Sequence, residues 1–282
     1  MAIENFIPTL WSAKMLVGFR EKAIFAGLAN REYEGEASSG NTVKITGVVD
    51  VAVKDYKAGA LPDGDGGTLP RTTTPDKITD TTIDLLINQE KNFDFYVDDI
   101  DRAQAAGKLT PYTDSAAAGL VEDSDKFLAA LLFLQGTAVT PGAAATDAKT
   151  AWNVIRDLRK ALNKAKVPMG ERVFVANAEF SALLEENDSK LMQANTSGST
   201  DGLKEAQLPR ILGFDGFGSE NLPTVNKPSI VAWHKPALAY VSQIDKTEAM
   251  RAQNKFADRM RGLHVYGGKV LRPTAVAHWT AA

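Results

Sequence analysis

Cysteine is absent from the 282 residues, which removes disulfide frameworks, thiolate metal sites and thiol redox chemistry together. Stability must come from packing and from assembly. Long apolar runs are absent too: the longest strongly hydrophobic stretch, Leu128 to Leu134, falls far short of the roughly 20 residues that span a bilayer. The amino terminus, MAIENFIPTLW, carries an early Glu4 and lacks a basic start leading into an apolar stretch, so an intracellular protein without a secretory signal is expected. Positive charge is not in excess either. Against 35 Asp and Glu stand 32 Lys and Arg, a net charge of -3, and that balance argues against a dedicated nucleic-acid binder, whose phosphate contacts demand a basic face. What remains is ordinary globular material, 44% hydrophobic and 24% charged, enough for one elaborate domain or two smaller ones.

The templates of catalysis are also missing. No Gly-rich turn leads into Lys-Ser or Lys-Thr, so a phosphate loop is excluded. Gly213, Gly216 and Gly218 in LGFDGFGSE miss the dinucleotide spacing, which leaves a turn between two short strands. Asp63 and Asp65 open like a calcium loop, but Gly67 stands where a third ligand belongs and Thr74 where the closing Glu belongs. His234, His264 and His278 are far apart and lack a partnered carboxylate motif, so they are expected as strand or surface histidines. The serines show no nucleophile elbow, and Asp98, Asp99 and Asp101 are expected to cap and solvate a helix. Arg156, Arg159, Lys160 and Lys164 on one helix face are the only candidates for phosphate contact, although such a row is usually the solvated side of an amphipathic helix. No catalytic residue, cofactor or metal ligand is assigned.

The strongest positive signal lies between Thr42 and Asn88. Val43, Ile45, Val49, Val51 and Val53 recur at every second position, with Lys44, Thr46, Asp50 and Lys54 between them, the pattern of a half-buried strand. A return strand follows through Thr81, Ile83, Leu85 and Ile87, and the intervening AGALPDGDGGTLPRTTTPD is too rich in Gly, Pro, Asp and Thr to hold a core. Nothing nearby in sequence covers this ribbon. A two-stranded ribbon alone is marginal in water, so it is expected to dock on the rest of the protein or on another copy.

Around it the pattern is mixed. Trp11, Met15 and Phe19 lie on one helical line, predicting a helix from about Ser12 to Leu28, and the polar segment Asn30 to Asn41 reads as a linker. A short helix is expected over Asp94 to Ala106. A much longer one begins at Thr110-Pro111 and stops at Gly136, with a stripe of Leu120, Phe127, Leu128, Leu131, Leu132 and Leu134; about 25 residues of helix would run some ~37 Å. PGAAATD marks a boundary. Beyond it Trp152, Ile155, Leu158 and Leu162 predict an amphipathic helix, Arg172 to Ala176 a strand, and Asn177 the cap of a helix holding Phe180, Leu183 and Leu184. From Ile230 the chain is mainly extended: IVAWH, Ala249 to Phe256, Met260 to Leu271, and a last strand ending in Trp279.

Taken in order, these parts resemble the major capsid proteins of tailed bacteriophages with the HK97-type fold. The most specific similarities are PRILGFDGFGSENLP from Pro209 to Pro223 and KFADRMRGLHVYGGKVLRPTAVAHW from Lys255 to Trp279. The resemblance covers essentially the whole chain and implies an α+β fold, an HK97-like capsid fold with an N-arm, an extended E-loop β-hairpin, a long spine helix, a P-domain sheet and an inserted A-domain. On that basis the N-terminal arm is 1–38, the E-loop 39–92, the first part of the P-domain with the spine helix 93–145, the A-domain 146–245, and the carboxy-terminal P-domain strands 246–282.

The implied function is to build an icosahedral shell around double-stranded DNA, without enzyme activity. The implied partners are many copies of the chain itself in pentamers and hexamers, a separate scaffolding protein, a portal and a decoration protein, with no membrane and no sequence-specific DNA contact. The implied location is the virion, assembled in the host cytoplasm. Contacts between subunits are expected at Trp11 and Phe19 in the arm and at Val49, Val51, Leu61, Pro62, Leu69 and Pro70 in the hairpin. Some relatives join subunits through a Lys–Asn isopeptide bond; Lys54, Lys57 and Lys77 lie in this hairpin, but no acceptor is identifiable, and crosslinking is not predicted. Two alternatives stand beside this: an encapsulin-like bacterial compartment shell, which shares the fold, and a soluble α/β enzyme, from the alternation between Trp152 and Leu184.

Overall fold

A computed structural model describes residues 23–35, 40–47, 53, 54, 56, 75, 81–99, 110–141, 145–186, 210–224 and 226–281. A five-stranded sheet organises most of the molecule: β4 (Thr137–Ala138), β10 (Val276–Thr280), β7 (Ser229–His234), β5 (Arg172–Ala176) and β6 (Asp215–Gly218), in that spatial order. The pairs β10–β7 and β7–β5 are antiparallel, while the outer pairs β4–β10 and β5–β6 are parallel.

Every residue of β5 is buried, because both faces of this sheet are covered. Val173, Val175, Val231, Trp233 and Val276 meet the long helix α2 (Thr110–Gln135) and the single helical turn α1 (Phe25–Leu28) on one side. Phe174, Ala176, Ile230, Ala232, Ala277 and Trp279 meet α3 (Ala148–Lys164) and α4 (Ala178–Leu184) on the other. Period-two alternation thus divides one sheet between two cores.

The signals of α3 and α4 act as expected, whereas the helix expected from about Ser12 to Leu28 is a single turn at Phe25–Leu28 after two non-helical residues, its earlier part lying outside the described residues. At the start of α3, Asp147 Oδ1 accepts from Thr150 N at 2.7 Å while the Asp147 amide donates to Thr150 Oγ1 at 3.0 Å, a reciprocal capping box. Asn177 Oδ1 caps α4 through Phe180 N at 3.0 Å and also accepts from Ser229 N at 3.0 Å, tying β5, α4 and β7 together. Leu128, Leu131 and Leu132 of α2 are buried, whereas Leu134 is 82% exposed. The predicted stripe therefore ends before Leu134, which turns away from the sheet.

A second, three-stranded antiparallel sheet is formed by β3 (Gln89–Asp98), β9 (Ala257–Val270) and β8 (Leu238–Arg251), in the order β3-β9-β8. Here two expectations fail. The helix expected from Asp94 is a strand through Asp98, since Phe93, Phe95 and Val97 alternate with Asp94 and Tyr96 and all pair with β9; Phe93 lies so close over Gly262 that a Cβ there would come within 2.3 Å of its ring. Asp98 ends the strand and Asp99 is the first helical residue after it, while the rest of the expected helix, with Asp101, lies outside the described residues. The strand expected at Ala249 to Phe256 instead begins at Leu238 and ends at Arg251, and Gln253 to Phe256 turn the chain into β9.

The ribbon is β1 (Thr42–Gly47) paired antiparallel with β2 (Thr81–Leu86), in register from Thr42 opposite Leu86 to Gly47 opposite Thr81. Its base is covered within its own chain, the first of the two dockings expected of an isolated ribbon. Val43, Ile45, Leu85 and Ile87 are buried against Ala239, Val241 and Val265 of β8 and β9. The approach is intimate: a Cβ at Gly267 would lie 2.2 Å from Leu86 O and 2.8 Å from Ile87 Cα. Gly267→Ala should therefore lift the ribbon from its seat, costing about 1–3 kcal/mol. The expected readout is a lower melting temperature with faster amide exchange at Val43, Ile45 and Leu85. Gly170→Ala, where nothing lies within 4 Å, should leave both unchanged.

Candidate functional site

Besides the seat of the ribbon, two features stand out: a joint that holds the chain before the ribbon, and a charged face of the three-stranded sheet. The joint is centred on Asp125, a fully buried carboxylate on α2. Its Oδ1 accepts from Phe25 N at 2.7 Å and Ala26 N at 3.2 Å; its Oδ2 accepts from Ile24 N at 3.2 Å and Asn221 Nδ2 at 3.2 Å. Helix α1 therefore takes its amino-terminal cap from a residue about a hundred positions away, and the loop after β6 is tied to the same group. Burial raises the Asp125 pKa, and the four donors oppose that shift. Phe25 stacks on Trp233 at 5.6 Å beneath the joint.

The arm continues across the outer edge of β8. Asn30 N donates to Leu238 O at 2.8 Å and Tyr240 N donates to Asn30 O at 3.0 Å, so Asn30 extends the sheet as a parallel bridge. Residues 30–35 of the segment expected to be a linker are thus docked, with a 3₁₀ turn at Glu32–Gly35 and the Arg31 guanidinium 5.6 Å from the Tyr240 ring centre. A bulge between Ser242 and Ile244 breaks the register of β8. Gln243 Nε2, at that break, donates to Gly40 O at 3.0 Å and holds the entrance to the ribbon.

Beyond the ribbon's seat, one face of the three-stranded sheet is charged and forms a surface concavity lined by Asn92, Asp94, Lys246, Glu248, Arg259, Arg261, Gly262 and Leu263. Glu248 lies between Lys246 at 2.6 Å and Arg261 at 2.6 Å, and Arg259 forks onto Asp94. Hydrogen bonding and charge from Lys246, then Arg261, bring the Glu248 pKa down to about 2, and Arg259 lowers Asp94. At the far end Arg251 bridges Asp99 and Asp258, and Phe256 is 81% exposed.

Of the residues expected at subunit contacts, Trp11, Phe19, Val49, Val51, Leu61, Pro62, Leu69 and Pro70 all lie outside the described residues. Asp125 and Gly267, which hold the arm and the ribbon, went unmarked in the sequence. An aspartate one residue after Ser124 in a leucine-rich stripe was the available signal. Arg156, Lys160 and Lys164 are exposed along α3, as a solvated face predicts. The histidines all stand on or at the end of strands, with His264 Nε2 3.2 Å from Ser242 Oγ. Among the described residues no group of His, Cys, Asp or Glu is placed to hold a metal ion, and no helix is long and apolar enough to cross a membrane.

Residues 78–279 match the family described as phage capsid protein. The chain belongs to that family. A solved structure from Mycobacterium phage Che8 is 48% identical, with 99% of this chain and 98% of that one covered and a TM-score of 0.88. The capsid structure of cyanophage P-SCSP1u gives a TM-score of 0.80 at 16% identity over 100% of this chain and 95% of that one. A virus-like particle from Pyrococcus furiosus shares the fold at a TM-score of 0.54 and 11% identity, over 85% and 86% of the two chains. No curated protein matches. The chain is a major capsid protein of a tailed bacteriophage with the HK97-type fold, and not an enzyme.

Two outcomes follow for this capsid protein. Asp125→Ala would leave three backbone amides and Asn221 without their acceptor and should cost roughly 3 kcal/mol in unfolding free energy. Asp125→Asn, which can keep the Oδ1 contacts, should lose less. Acid should weaken the charged sheet. Because Glu248 and Asp94 have lowered folded pKa values, their contributions are present above the ordinary carboxylate range and disappear as pH falls, for Glu248 from 4.5 towards about 2. Asp125, being raised, works in the opposite sense and loses its contribution as pH rises through its folded value. Amide protection in β8 and β9, taken relative to the intrinsic exchange rate at each pH, should fall between pH 4.5 and about 2 in the wild type, and less steeply in Glu248→Gln.

Proposed function

We propose that this capsid protein assembles into pentamers and hexamers that close a shell around double-stranded DNA, and that its E-loop reaches from its own sheet onto a neighbouring subunit. The observation that carries this is the ribbon: two strands paired, among the described residues, with each other and seated at their base on β8 and β9, and joined in sequence by residues 48–80. A ribbon anchored at one end by a buried apolar face is a rigid mount for an extension. Val49, Val51, Leu61, Pro62, Leu69 and Pro70 on that extension, with Trp11 and Phe19 on the arm, are the proposed contacts.

The division into arm 1–38, E-loop 39–92, spine-bearing P-domain segment 93–145, A-domain 146–245 and closing P-domain strands 246–282 is part of the same proposal. Separate scaffolding, portal and decoration proteins, assembly in the host cytoplasm and rearrangement of a procapsid complete it. DNA is enclosed without sequence readout, in keeping with the net charge of -3. The sequence relationship runs to a mycobacteriophage, while the likeness to the archaeal virus-like particle is one of fold; this favours the genome container over the compartment shell.

Electron microscopy of the purified protein should show closed shells or ring-shaped capsomers, and a strictly monomeric protein under every assembly condition would contradict the proposal. Deleting residues 58–76 should leave a folded, soluble subunit, because the seat is retained, and abolish stable shells. Normal particles from that deletion would reject the E-loop assignment.

A further inference from the structure

The α3 region holds an unusual concentration of cations for a chain of net charge -3. Residues 156–166 contain Arg156, Arg159, Lys160, Lys164 and Lys166 against the single acid Asp157, so the rest of the chain carries the balancing acidic excess. Their placement is fixed from inside. Arg172, 3% exposed at the start of β5, donates to Pro168 O at 2.7 Å, Val167 O at 2.5 Å and Asn163 Oδ1 at 2.8 Å. This fork clamps the carboxyl end of α3 to the start of β5 and presents Lys160, Lys164 and Lys166 to solvent. An open surface concavity lined by Arg156, Asp157, Arg159, Lys160, Asn163 and Lys164 lies on that helix face.

The opposite end of β5 has the opposite sign. Asn177 caps α4 there, and Glu179, Glu185 and Glu186 follow on exposed positions. Glu220, just past β6, accepts from Ala178 N at the same end, and Glu186 accepts from Ala148 N at 2.8 Å. The five residues of β5 separate the two ends by roughly 16 Å. Lys160 and Lys164 at one end, and Glu179 and Glu185 at the other, have no ion-pair partner among the described residues.

We propose that this unit is electrically bipolar, and that within a capsomer the Lys160–Lys164 end of one copy docks on the Glu179–Glu185 end of the next. A ring needs two different patches per subunit, head meeting tail. Opposite charges on separate ends of one rigid sheet meet that requirement, steer the approach of the next copy and penalise head-to-head pairing. The inference rests on the shell-forming function. The two fail differently: wild-type protein that never assembles would refute the function, whereas wild-type shells with indifferent variants would refute only the docking.

The test is a charge exchange. K160E/K164E and E179K/E185K should each raise the concentration needed for assembly at least tenfold, and the four-fold variant carrying both pairs should restore it towards the wild-type value. Circular dichroism establishes that each subunit is folded. If a reversal prevents folding, the neutral pair K160Q/K164Q decides: its assembly threshold should rise several-fold and lose most of its sensitivity to salt. Unchanged assembly in the single-side variants, or failure of the folded four-fold variant to recover, would overturn the proposal. Shells that form normally from K160E/K164E but lose their DNA would overturn it too, assigning the strip to phosphates of the packaged duplex.

Discussion

Three stretches of chain far apart in sequence converge on the carboxylate of Asp125. The arm brings the amides of Ile24, Phe25 and Ala26, the spine helix brings the carboxylate, and the loop after β6 brings Asn221. A buried charge without partners is costly, and a helical turn with open amides is unstable alone; each defect satisfies the other. Phe25 is thereby held on Trp233, which closes the core between the spine and the five-stranded sheet.

From that joint the chain proceeds as a series of attachments to β8. Asn30 bridges its edge, the 3₁₀ turn packs on it, and Gln243 at its bulge holds Gly40 at the mouth of the ribbon. The ribbon then rests on β8 and β9 through Val43, Ile45, Leu85 and Ile87. Arm and hairpin are therefore extensions with firm roots. For a shell protein this matters, because many modest contacts between copies reinforce one another only when each extension is held at a defined angle.

Much of this was legible in the chain. Thr110-Pro111 and Gly136 bracket the long helix, Asp147 and Asn177 begin their helices, and the alternation gives β1, β2 and the buried face of Val43, Ile45 and Leu85, although Val53, placed on that face by the same pattern, is fully exposed outside the strand. Those signals are local, lying within one turn or one pleat. The segment from Asp94 misled because its acids resemble a helix start; strand pairing with β9 over ten residues outweighs that local preference. Leu134 misled in the same way, since a helical stripe ends where its neighbour ends.

The ribbon shows the division between the two kinds of information. Its residues by themselves determined two amphipathic strands and a tip unable to form a core, because side-chain alternation and the Gly/Pro content need no partner to be read. Where its apolar face goes was decided by tertiary structure alone. Ala239, Val241 and Val265 lie about 150 to 220 residues away, and the space they leave exists only because Gly267 carries no side chain beneath Leu86. Likewise Asp125 is one acid in a helix until three amides from another part of the chain arrive. Proximity across long stretches of chain is a property of packing, and no local pattern encodes it.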